Sequence, residues 1–261
     1  MTSKLLTRYH NVLSTVAGAD NGISAAAIAE AVDLPRSTAH RLALALCEVA
    51  YLQQNESSIF VLGPALDDIL IPRLFNSQRS STILPVLLNL ANELQETSFF
   101  ARRHCGRIEI VDALPVPGTH QSYIFPGLGD RPLDKCSSSK AILAFCEQQD
   151  VEAWFEQARG EVGAPELEYP TATFWAELGD VRDAGYAVCD GEIDEGVISI
   201  ASPVFVEPFG AIYSIGVTGP TARMKSQSIE DVAGQVRAAA KTAAARLVAH
   251  SANMGSKPSR K

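Results

Sequence analysis

Apolar residues recur along residues 4–18 at Leu5, Leu6, Tyr9, Val12, Leu13 and Val16, the spacing of one inward face of a helix. The same period returns in two shorter segments between Ile23 and Cys47. Ser24 can cap the first of these, with Ile23 and Ile28 placed as a hydrophobic staple across the cap. Val32 closes that helix, Asp33 and Leu34 turn the chain, and Pro35 suits the first turn of the next because its missing N–H has no helical partner there. On the second helix Ala39, Leu42, Leu46 and Val49 form the inward stripe, while Ser37, Arg41 and Leu44 fall opposite with His40 beside them. Residues 51–54 and 59–62 read as strands around a polar turn, so a hairpin follows. Three helices and a hairpin within residues 1–63 predict a winged helix-turn-helix domain.

Beyond Gly63-Pro64 the pattern predicts a linker helix over residues 64–81, kinked or stopped at Pro72, whose apolar stripe suits a dimer contact. The polar run at residues 76–81 marks the domain boundary. A helix resumes at residues 82–96 with Ile83, Val86, Leu87, Leu90, Ala91 and Leu94 inward. Strands are predicted at 98–103, 107–114 and 121–125, then helices at 138–147, 151–158 and 173–184, then strands at 186–190, 197–205 and 211–218. A long helix capped by Ser228 runs to about residue 249. Strands in an early and a late group, with helices between and at both ends, give an α/β chain of the α+β kind: one domain over residues 82–250 on an antiparallel sheet, and a disordered tail over residues 251–261.

Composition narrows the class. The 261 residues are 46% hydrophobic and 20% charged, enough for two domains with cores. There is no run of eighteen apolar residues and no secretory signal pattern at the start, so a cytoplasmic protein without membrane attachment is expected. The five cysteines are scattered, without a C-x-x-C pair or His at metal spacing, which predicts reduced thiols, no metal and no cofactor. The net charge is −8, and residues 1–62 carry Lys4, Arg8, Arg36 and Arg41 against Asp20, Glu30, Asp33, Glu48 and Glu56. That thin positive balance predicts salt-sensitive DNA affinity that depends on dimerisation.

Small hydroxyls, a histidine and arginines at the start of a short helix suit a DNA major groove, where Arg can bond guanine and free amides can hold a phosphate. The candidate DNA-binding residues are Ser24, Arg36, Ser37, Thr38, His40 and Arg41. In the C-terminal part Ser137-Ser138-Ser139 stands where the chain enters a helix, so hydroxyls, free amides and the helix dipole converge on a place for a carboxylate. Ser137 and Lys140 stand three apart, but no second catalytic motif accompanies them, and no enzyme activity is expected.

The chain resembles the IclR family of bacterial transcriptional regulators over nearly its full length. The resemblance lies in residues 34–42 (LPRSTAHRL), Tyr51-Leu52 and residues 60–63 (FVLG), then in residues 133–144 (LDKCSSSKAILA), Gly185-Tyr186-Ala187, Glu195-Gly196-Val197, residues 201–204 (ASPV) and Gly219-Pro220. It implies a winged helix-turn-helix, a linker helix and a GAF-like effector domain, in homodimers or dimers of dimers that bind a palindromic operator in double-stranded DNA. A small effector, often an organic acid, would modulate that binding. The resemblance also implies an effector pocket at the serine turn together with Cys189, Asp190, Ser199 and Thr218, with Tyr123 and Phe125 as aromatic cover. An alternative stays open: a GAF-like sensor or enzyme whose winged helix binds a protein partner.

Overall fold

The computed structural model describes residues 4–55, 57–66, 69–70, 79–116, 124, 128–160 and 170–255, the side chains of 79–81 and 250–255 aside. The chain forms two compact units, Met1–Arg73 and Leu74–Lys261. The first contains α1 (Lys4–Ala17), β1 (Ile23–Ser24), α2 (Ala25–Ala31), α3 (Arg36–Glu48), β2 (Leu52–Gln54) and β3 (Ile59–Leu62). Ser24 caps α2, accepting from the Ala27 amide at 3.3 Å. Asp33, at φ 50, makes the left-handed turn between α2 and α3. Val12, Val16, Ile28, Leu42, Leu46 and Phe60 share one buried cluster.

The wing is a three-stranded sheet in the order β1-β3-β2. The Asn55 side chain holds its tip, accepting from the Ser57 amide at 3.1 Å and the Ile59 amide at 3.0 Å. Two expectations fail here. Leu5 and Leu6 are exposed (54% and 68%) although the period put them inward, because the core under α1 reaches only as far as Tyr9. Val49 is 55% exposed because α3 stops at Glu48 and the next residue leaves helical geometry; Ala43 takes the buried place instead.

The second unit begins with α4 (Arg79–Leu94), β4 (Thr97–His104) and β5 (Arg107–Leu114). It continues through α5 (Ser137–Leu143), α6 (Gln148–Arg159), α7 (Ala172–Ala184), β6 (Ala187–Asp190), β7 (Val197–Phe205) and β8 (Ala211–Pro220), ending in α8 (Thr221–Met224) and α9 (Ile229–Gly255). The strands form one antiparallel sheet in the order β5-β4-β8-β7-β6. Cys105 (φ 50) and Gly106 (φ 73) close the first hairpin with two positive φ angles, and a Cβ on Gly106 would stand 2.3 Å from the Trp154 ring. Helices α4 and α9 cover one face of the sheet; α5 covers the other, with α7 packed on α5.

Because side chains alternate along a strand, the register assigns each residue to a face. Cys189 pairs with Ser199, Ser199 with Thr218, and Thr218 with Thr97, so one polar row crosses β6, β7, β8 and β4 on a single face. Helix α9 continues to Gly255, past the boundary expected at residue 249, so residues 251–255 are helical where disorder was expected. The expected strand at 121–125 apart from Ile124, most of the linker at 64–81 with Pro72, and residues 256–261 lie outside the described residues.

Candidate functional site

Helix α3 is amphipathic in the sense a reading helix requires. Ala39, Leu42, Ala43 and Leu46 are buried, while Arg36, Ser37, His40 and Arg41 are exposed and Thr38 half-buried. The Pro35 carbonyl accepts from the amides of Thr38 and Ala39, which leaves the Arg36 and Ser37 amides at the open end of the helix. Among the described residues neither Arg36 nor Arg41 has an ion-pair partner. An exposed helix start with free amides and two unpaired guanidinium groups is an anion-binding surface. The His40 ring rests edge-on against Phe60, centroids 6.1 Å apart, which fixes its direction beside the wing. Ser24 serves α2 as its cap and is half-buried.

In the second unit the polar row opens onto a small cavity of about 20 Å³, roughly one water molecule. Ser199, Thr218 and Cys189 supply its polar floor, and Arg131, Asp194 and Cys136 lie around it. The Arg131 Nε is buried with no hydrogen-bond partner, and among the described residues no carboxylate pairs with this guanidinium. Both thiols are buried, and burial pushes the Cys189 thiol up to about 11, so it is protonated at neutral pH and forms wall rather than nucleophile.

The serine turn stands behind this wall. Ser137 shares a 2.7 Å hydrogen bond with Ser199 and so meets the cavity through it. Ser138 bonds Cys136 at 3.0 Å, and its carbonyl accepts from Ser214 at 3.2 Å. The Ser139 hydroxyl is buried without a partner among the described residues and does not line the cavity. Asp190 departs from the expected placement. It pairs with Ile198 and therefore points to the face opposite Cys189 and Ser199, where it is exposed and bound to Lys225 at 2.5 Å. Tyr123 and Phe125 lie outside the described residues.

Lys140 is fully buried, and its Nζ meets Glu177 at 2.7 Å and Glu192 at 3.0 Å. Burial alone lowers its pKa, but the hydrogen bonds and charges of the two glutamates outweigh that and hold it above the ordinary lysine value. The amine is a permanent cation at neutral pH, tying α5 to α7 and to the loop before β7. It cannot serve as a base for Ser137.

Two family models match the chain: bacterial transcriptional regulator IclR C-terminal over residues 79–245, and the IclR helix-turn-helix domain over residues 5–56. The chain belongs to the IclR family. It is a DNA-binding transcriptional regulator of that type. Over 232 residues it is 29% identical to the HTH-type transcriptional regulator TtgV of Pseudomonas putida, covering 86% of this chain and 85% of that protein. It is 23% identical to the transcriptional repressor IclR of Escherichia coli, covering 90% and 87%. The crystal structure of Thermotoga maritima IclR has the same fold, with a TM-score of 0.57 at 17% identity over 93% of this chain and 98% of that one. An IclR homolog from Microbacterium hydrocarbonoxydans, complexed with 4-hydroxybenzoate, gives 0.53 at 21% identity over 94% and 100%.

Within this IclR-family chain, sequence reasoning did not assign Arg131 and Cys136 to the cavity. Cys136 is the N-cap position directly before the serine turn, and that adjacency is the available signal. Arg131 had none, because it reaches the cavity from a loop whose backbone is held by Ile108 across β5. No helix of the described residues is long and apolar enough to cross a membrane. The described residues hold no group of three or more His, Cys, Asp or Glu suited to a metal ion.

Proposed function

We propose that this regulator binds as a dimer to a palindromic operator, with residues 36–41 in the major groove, and that a small organic carboxylate at Arg131, Ser199 and Thr218 changes its hold on DNA. One observation carries the DNA half: Arg36 and Arg41 stand unpaired, among the described residues, on the exposed side of a helix whose opposite side is core. Ser37 and Thr38 contact backbone phosphates beside them, and His40 adds a donor next to the wing. Arg41 is placed to bond a guanine edge. The exposed Leu5 and Leu6 on α1 favour a second copy over solvent as their neighbour.

The effector half rests on Arg131, whose buried Nε has no hydrogen-bond partner among the described residues, beside a polar floor. An IclR homolog from Microbacterium hydrocarbonoxydans is complexed with 4-hydroxybenzoate, an organic acid, which supports a carboxylate as the effector class. A cavity of about 20 Å³ cannot hold such an acid as it stands, so the walls must part when the ligand enters. A ligand with this requirement favours the opened arrangement over the closed one, and that differential affinity is what shifts a two-state regulator. Coupling of this kind is typically ~1–3 kcal/mol, several-fold to a hundred-fold in operator occupancy.

The test is fluorescence anisotropy on a duplex from upstream of the protein's own gene, at low salt, with a panel of small aliphatic and aromatic carboxylates. The reading expects at least one carboxylate to shift the wild-type midpoint and to leave Arg131→Gln unmoved, with equal DNA affinity for both proteins in its absence. An R131Q protein that responds like wild type removes Arg131 from the effector role.

A further inference from the structure

The second unit carries a larger concavity, on the side of the sheet where β6 begins. Strand β6 begins only at Ala187, opposite Ala201, so residues 202–205 of β7 have no strand beside them on that edge. The end of α7 and the middle of α9 flank this open edge and leave a groove of about 490 Å³, against about 20 Å³ for the cavity at Arg131. That is the size of small-molecule sites in general. The two share no lining residue.

The groove is apolar along its length and cationic along its rim. Phe145 and Phe205 meet edge to face, centroids 4.9 Å apart, and Pro203, Ala240 and Ala244 continue the wall. Arg182, Arg237 and Lys241 line it, and no Asp or Glu does. Arg237 is already neutralised by Glu230 at 2.6 Å and donates to the Ala184 carbonyl at 2.7 Å. Among the described residues Arg182 donates only to the Ala144 carbonyl, at 2.8 Å, and Lys241 has no partner. Two cations without counter-charges among the described residues therefore stand over an apolar trough in a protein whose net charge is −8.

We propose that this groove is a second small-molecule site, for an organic anion with an apolar body: a carboxylate on Arg182 and Lys241, and an aryl or alkyl part against Phe145, Phe205 and Ala244. A purely inorganic anion leaves the aromatic wall wet, and a neutral apolar molecule leaves both cations unanswered; only the amphipathic anion satisfies both. The occupant also touches α9, whose Arg246 reaches the Thr82 carbonyl at the start of α4, 3.5 Å away. Occupancy is thus felt on the helix that contacts the first helix of this unit.

Calorimetric titration of the full chain with 4-phenylbutyrate tests this, in an R131Q background so that the cavity at Arg131 does not contribute. Binding is expected there. Lys241→Glu is expected to weaken it at least ~10-fold by removing and reversing a charge-assisted contact. Ala244→Trp, which fills the groove without touching a charge, is expected to do the same, and 4-phenylbutan-1-ol to bind at least ~10-fold more weakly than the acid. Lys241 has no partner to lose among the described residues, so its variant folds as the parent does, which circular dichroism checks. Absence of binding, either variant binding like its parent, or alcohol and acid binding alike overturns the proposal.

Discussion

Removing the charge of Lys140 and removing the charges of its two partners break the same ion pairs, yet the structure makes the two perturbations unequal. In Lys140→Met the stem volume is kept and the carboxylates of Glu177 and Glu192 are released. Their side chains are 42% and 38% exposed, so water solvates them, and the loss is about 1–2 kcal/mol, of the size of one or two charge-assisted hydrogen bonds discounted for exposure. In the double variant Glu177→Gln/Glu192→Gln an ammonium with 0% exposure keeps only amide oxygens as acceptors. An uncompensated buried charge costs about 3–5 kcal/mol.

Urea unfolding followed by tryptophan emission measures the difference cleanly, because the two tryptophans, Trp154 and Trp175, both lie in the Leu74–Lys261 unit. The expected order is wild type, then K140M, then E177Q/E192Q, with the second loss about twice the first or more. The sign with pH follows from the raised pKa: the Lys140 contribution is complete below the ordinary lysine value of 10.5 and is lost as pH rises through its higher folded value. The gap between wild type and K140M is therefore constant from pH 7 to 9 and closes only above about 10.5. A K140M protein as unstable as the double glutamine variant, or a gap that closes below pH 9, would refute the reasoning.

Gly106→Ala forces a Cβ to within 2.3 Å of Trp154 at a positive φ of 73, and should cost about 2–4 kcal/mol in the same assay, with a shifted tryptophan spectrum as the ring is pushed aside. Ser24→Ala removes the cap of α2 and should lower the stability of the Met1–Arg73 unit by about 1 kcal/mol, read by circular dichroism; an unchanged midpoint would mean the 3.3 Å bond contributes nothing. Ser199→Val should remove one hydroxyl of the cavity's polar floor together with its bond to Ser137, weakening the carboxylate response while leaving basal DNA affinity within about two-fold.

Much of this molecule is written locally. The staple and cap around Ser24, the turn at Asp33 and the hairpin at Cys105-Gly106 depend on residues within a few positions of one another, and those elements are legible in the sequence. So is the alternation on β7 that puts Ser199 between Ile198 and Ile200. What depends on partners distant in sequence is not. Whether Leu5 and Leu6 find a core depends on how far the helices beneath α1 extend, and the pattern of α1 alone carries no information on that. Asp190 follows Cys189 in the chain, but the strand period sends neighbours to opposite faces, and Lys225 waits on the other side. Arg131 arrives at the cavity by a loop bonded to β5, a route no spacing encodes. The local pattern of the serine turn suggests an open seat; Ser137 and Ser138 instead spend their hydroxyls on Ser199 and Cys136.

The proposal that the exposed face of α3 enters DNA is tested most directly by Arg41→Ala. Anisotropy titrations of the upstream duplex, repeated across salt concentrations, should show binding weakened by about 1–3 kcal/mol, roughly 5- to 150-fold, with an unchanged circular dichroism spectrum. An R41A protein that binds the duplex with wild-type affinity and the wild-type salt slope would contradict the account.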